Sequence, residues 1–107
     1  MSREENLTYN SAPISVHTLT ISTTAQTIER SKSLRETCIH VTTNVIIGIR
    51  FDNAVDMATV IPCDLLDGGT RHMTVGSESY IPIPRYCTFI SIIGAESGVA
   101  YIEQMML

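Results

Sequence analysis

The sequence predicts an all-β fold: an antiparallel β-sandwich or jelly roll of about seven or eight short strands. Three observations carry that expectation. Short runs rich in Val, Ile and Thr alternate apolar with polar residues, the period of a half-buried strand. Turn residues such as Asp52-Asn53, Asp67-Gly68-Gly69 and the glycines Gly94 and Gly98 separate these runs, at a spacing of roughly eight to twelve residues. No stretch holds the periodicity of an amphipathic helix. The chain has 107 residues, 44% hydrophobic and 17% charged, which suits one domain with one core.

Residues 1–12 are polar and aperiodic, so they are expected to form a flexible arm; residues 13–107 are expected to form the sandwich. After Pro13, residues 14–21 (ISVHTLTI) are β-branched and long enough for a strand. Residues 22–35 contain weak helix formers and are read as a loop with one brief strand. Residues 36–43 (ETCIHVTT) place Thr37, Ile39, Val41 and Thr43 on one face and Cys38, His40 and Thr42 on the other. Residues 45–51 (VIIGIRF) form the next strand, in which Gly48 marks a bulge or a close backbone approach. A further strand is expected over 54–61, ended by Pro62, and a short one over 71–75. Residues 79–84 carry Pro82 and Pro84, which remove two donors on the same side, so this segment belongs at a sheet edge.

The closing stretch is the most apolar. Residues 87–93 (CTFISII) and 99–104 (VAYIEQ), joined by residues 94–98 with glycine at both ends, read as a β-hairpin. Phe89, Ile90, Ile92 and Ile93 fall on both faces of the first run, and Val99, Ala100, Tyr101 and Ile102 on both faces of the second. So short a chain has little else to cover such a hairpin twice. One face is therefore expected to meet the chain's own second sheet and the other a second subunit or a larger surface. Phe89, Ile90, Ile92, Val99, Tyr101 and Tyr80 are the interface residues this implies, with Arg3 and Glu4 of the arm as polar anchors.

Composition narrows the function classes. The net charge is −4 and Lys32 is the only lysine, which disfavours sequence-independent nucleic-acid binding and anionic membranes. No apolar run approaches the length of a membrane span. The amino terminus lacks the hydrophobic stretch of a secretory signal, so synthesis and folding in a cytoplasm are expected. Cys38, Cys63 and Cys87 form no CxxC pair and are read as buried thiols rather than metal ligands.

Candidate catalytic groups are sparse. His17, His40 and His72 lie in separate segments without HxH or HxxxH spacing, which disfavours a metal site of the cupin type. Asp52, Asp56, Asp64 and Asp67 lack the regular spacing of a calcium loop and are read as turn residues. Cys38 and His40 share a strand face, but no acidic partner for the histidine and no GxSxG motif are evident, so no catalytic residue, metal or cofactor is expected. Tyr80, Tyr86 and Tyr101 could form an aromatic platform for a sugar or serve a protein interface.

The pattern Met73-Thr74-Val75-Gly76, then residues 79–84 (SYIPIP), 88–93 (TFISII) and 99–103 (VAYIE), resembles the small β-sandwich virion proteins of tailed bacteriophages known as decoration or cement proteins. The strand at 45–51 and the segment Thr23-Thr24-Ala25-Gln26 are also similar, so the resemblance spans residues 14–104. It implies a non-enzymatic structural protein on the capsid surface. Such a protein forms a homodimer or homotrimer, binds the major capsid protein and stabilises the assembled head by mass action. The alternative is a carbohydrate- or receptor-binding virion module on a head fibre or the tail.

Overall fold

The computed structural model describes residues 15–31, 36–66, 71–73 and 78–106. In chain order the strands are β1 (Ser15–Ile21), β2 (Gln26–Glu29), β3 (Thr37–Thr43), β4 (Ile47–Asp52), β5 (Arg71–Met73), β6 (Glu78–Pro82), β7 (Phe89–Gly94) and β8 (Gly98–Met106). They form two four-stranded sheets, ordered β1-β8-β3-β6 and β2-β7-β4-β5. Every pairing is antiparallel. The protein is thus all-β, two sheets packed on one another. The expected arm at 1–12 and the turn at 67–69 lie outside the described residues.

Strand alternation decides the core. From the first sheet, Ile21, Ile39, Val41, Ile81, Ala100 and Ile102 point inward; from the second, Ile28, Ile47, Ile49, Ile90 and Ile92 meet them. Isoleucine dominates because a β-branched side chain fits a pleated surface with little rotamer freedom left to lose. Full burial of each contributes roughly 1.5–3 kcal/mol. The inward set expected for β3, Thr37, Ile39, Val41 and Thr43, is buried, and Cys38 on the other face is buried as well. The edge position expected for the Pro82 segment also holds, since β6 pairs with β3 alone.

Two elements differ from the sequence reading. Residues 87–93 and 99–104 are not a hairpin: β7 pairs with β2 and β4, whereas β8 pairs with β1 and β3. Their connection turns a corner between the sheets, where Gly94 N–H donates to the Ser22 carbonyl (2.8 Å) and Ala95 N–H to the Ile46 carbonyl (2.9 Å). The glycines serve close packing at that corner. A Cβ on Gly94 would run into the Ile21 side chain, and one on Gly98 would lie 2.5 Å from Val45 Cγ1.

The second difference is at 54–61, which is not a strand. It contains a 3-10 turn, Met57–Thr59, capped by Asp56, whose carboxylate accepts from Thr59 N–H. An aspartate capping its own following turn offers the backbone an alternative to ladder pairing.

The first of the closing strands, β7, is covered on both faces by the chain itself. In β7, Ile90 and Ile92 are 0% exposed in the core, and Phe89 and Ser91 on the opposite face are also buried, at 8% and 0%. What covers that outer face is the chain's own 53–66 segment. The Cys63 amide donates to Ser91 Oγ (3.0 Å), the Cys63 thiol to the Gly48 carbonyl (3.7 Å), and Thr88 Oγ1 to the Ala54 carbonyl (2.7 Å). The expectation that one face of this strand meets another subunit is therefore corrected. Gly48 is not a bulge, since the β4–β7 register runs unbroken across it.

Candidate interaction surfaces

The 53–66 segment is held by one buried carboxylate. Asp52, the last residue of β4, accepts from Ala54 N–H at Oδ1 (2.8 Å) and from Ile61 N–H at Oδ2 (3.0 Å), clamping the stretch between those two residues. Its backbone carbonyl accepts from Thr88 N–H (2.7 Å), tying the clamp to the start of β7. Asp56 caps the turn within, and Asp64 accepts from Leu66 N–H (2.9 Å). Three of the four acidic residues weighed as calcium ligands thus serve backbone conformation; Asp67 lies outside the described residues.

The same segment leaves several apolar side chains exposed. Val55 is 95% exposed and Leu66 94%, with Met57 and Ile61 also exposed. Scattered exposed hydrophobics are ordinary, but a concentration of them marks interaction surfaces. Four of the ten large hydrophobics exposed among the described residues lie on this one segment. In this region the exposed apolar side chains sit on the covering segment rather than on the strand beneath. Sequence reasoning missed this by assigning the stretch to a strand; the signal available was Asp56 three residues before Thr59, the spacing of a cap.

The second surface is the outer face of β1-β8-β3-β6. The register aligns Val16, Glu103, His40 and Tyr80 in one row across the four strands, with Thr18, Tyr101 and Thr42 in the next. His40 Nδ1 lies 2.9 Å from Glu103 Oε1, and the imidazole stacks on the Tyr80 ring with centroids 4.6 Å apart. Tyr80 and Tyr101 are exposed, and Val99 is half-buried on the same face. An acidic partner for His40, not evident in the sequence, is therefore supplied by β8. Cys38 shares that face, but burial pushes its thiol pKa up, the opposite of what an activated nucleophile requires.

The interface residues expected from sequence thus divide. Ile90 and Ile92 are core, Phe89 is buried on the other face of β7, and none of the three is exposed to a partner. Tyr80, Tyr101 and Val99 come together on the outer face of the first sheet. Arg3 and Glu4 lie outside the described residues. Tyr86 is exposed in the turn at 85–86.

The remaining candidates are dispersed. His17 approaches Gln104 (Nε2 to Nε2, 3.4 Å), His40 lies on the outer face and His72 is in β5 of the other sheet. The cysteines are free and buried. Among the described residues no group of three His, Cys, Asp or Glu side chains is placed to hold a metal ion, and no helix is long and apolar enough to cross a membrane. Comparison with family models, with curated proteins and with solved structures finds no match to this chain.

Proposed function

We propose that this chain is a virion structural protein, a decoration subunit that seats on an assembled capsid shell and stabilises it. The observation that carries the reading is the 53–66 segment: tied down by Asp52 at Ala54 and Ile61, it displays Val55, Met57, Ile61 and Leu66 to solvent. A pre-ordered apolar surface binds a partner without the entropy cost of ordering a loop first. Contacts to a repeating lattice suit such a surface, because subunits that bind the shell and not its dissociated parts stabilise the shell.

The strand order supports a jelly-roll reading of the fold. If the strands are lettered B to I, the sheets run B-I-D-G and C-H-E-F, the arrangement of two Greek keys used by capsid and lectin domains. Fold alone does not assign function, so the weight rests on the segment. The resemblance of residues 14–104 to phage decoration proteins points the same way.

One observation favours a second reading, a glycan-binding virion module. Tyr80 and Tyr101 share an exposed sheet face at a separation of roughly 12 Å, two strand spacings and two residues apart, and the His40 stack holds one ring in place. Co-sedimentation with phage heads assembled without this chain separates the readings. Saturable binding that Val55→Asp abolishes supports the shell-binding role. Absence of binding to heads, with glycan-array binding lost in Tyr101→Ala, supports the second.

A further inference from the structure

We propose that β1 is a self-complementary edge through which two copies of this chain join into one continuous eight-stranded sheet. The inference is independent of the capsid reading. It begins with where the backbone groups of β1 point.

Along a strand, successive residues direct their amide and carbonyl to opposite neighbours. In β8, Val99 directs both groups towards the β3 side: its carbonyl accepts from Asn44 N–H (3.3 Å) and its amide donates to Asn44 Oδ1 (2.8 Å). Tyr101 and Glu103 follow the same parity. Ala100, Ile102 and Gln104 therefore bond towards β1, where their register partners are Leu19, His17 and Ser15. The backbone groups of Val16, Thr18 and Thr20 must then point away from the sheet. Thr20 confirms the parity independently, because its carbonyl accepts from the Gln26 side-chain amide on that far side. Among the described residues, no hydrogen bond of this kind covers the amides and carbonyls of Val16 and Thr18.

Natural sheets blunt such edges with proline, charge or brevity. The other three edges here are blunted: β6 ends in Pro82, β2 has four residues and β5 three. β1 has seven residues, SVHTLTI, without proline, lysine or acid. Its sequence is also suited to pairing with itself. An antiparallel two-fold through Thr18 sets Thr18 opposite Thr18 of the second copy and Val16 opposite Thr20. These are Thr–Thr and β-branched cross-strand pairs, with no like charges opposed. All three are hydrogen-bonded pairs by the parity above. The Thr20 carbonyl has a second lone pair and can keep Gln26 while accepting from Val16 of the second copy.

One strand pair is a small interface, spanning about 24 Å of edge, so association is expected to be concentration-dependent. Sedimentation velocity of the full chain over a concentration series should show the mass rising from 11.8 kDa towards twice that value. Thr18→Pro removes an amide that the fold does not use. It should keep the native circular dichroism spectrum and weaken association at least tenfold. A second measurement covers the case in which that variant fails to fold. Thr18→Cys should be linked between copies by a short bis-maleimide, the native thiols being buried. Thr42→Cys lies on the same face but five strand spacings, about 24 Å, from its symmetry mate, and should not be linked. A chain that stays monomeric throughout, a folded Thr18→Pro that associates like wild type, or equal linking at both positions would overturn the proposal. Loss of head binding without loss of the dimer would reject the capsid role alone.

Discussion

Gln104 shows how one side chain joins the two sheets. It is fully buried on the inner face of β8, yet its Oε1 accepts from Ser31 N–H (2.7 Å) and its Nε2 donates to the Glu29 carbonyl (3.1 Å). Both partners flank the end of β2, which belongs to the opposite sheet. Gln104→Leu keeps the volume but leaves the partly buried Ser31 N–H and Glu29 carbonyl unmatched, at the lower end of about 1–3 kcal/mol each. Chemical denaturation should show about 2–4 kcal/mol lost. The alternation of β8 places Gln104 inward, so its position was legible; its partners were not, because they lie more than seventy residues away.

The cysteines give a pH signature at the same scale. Burial pushes the thiol pKa of Cys38, Cys63 and Cys87 above its ordinary value, and the hydrogen bond between Cys63 and Ser91 only partly opposes this. The folded state then holds these protons to higher pH than the unfolded chain does. Stability from this source is intact below the unfolded thiol pKa and falls as pH rises above about 8.5. Urea midpoints should therefore decline from that pH upward, and less steeply in Cys63→Ala.

Among the elements, the 53–66 segment depends on Asp52 more than on any strand. Asp52→Ala frees the Ala54 and Ile61 amides together, and local opening should become easier by about 2–3 kcal/mol. Hydrogen exchange should rise at Cys63 and at residues 54–61, with Ile90 and Ile92 in the core nearly unchanged. Uniform loosening of both sheets would contradict that division. The strands themselves were the most legible elements: β3 and β4 announce their faces by alternation, and β6 announces its edge through Pro82. The 53–66 segment was not, because AVDMATVI is as β-branched as a strand and only the Asp56 cap and the Asp52 clamp redirect it.

Over the whole molecule, alternation identifies strands but does not distribute them between sheets. Residues 87–104 look like a hairpin because a short glycine-bounded loop joins two apolar runs. That loop instead turns a corner, and each run pairs with strands distant in sequence. The two-faced burial of β7 was legible, and its cause was not: the cover comes from the chain itself, and the surplus apolar surface reappears at Val55, Met57, Ile61 and Leu66. Among the described residues the molecule thus has a buried core, an apolar-bearing segment over one sheet, and on the other sheet an exposed tyrosine-bearing face with β1 as its edge strand.

The most direct test is head binding by a Val55→Asp, Leu66→Asp double variant set against wild type on heads assembled without this chain. Both positions are highly exposed, so stability should change by no more than about 0.5 kcal/mol per site. The account predicts at least a tenfold loss of affinity, about 1.4 kcal/mol, with the fold intact. Wild-type affinity in the double variant, or no head binding by the wild-type chain, would contradict it.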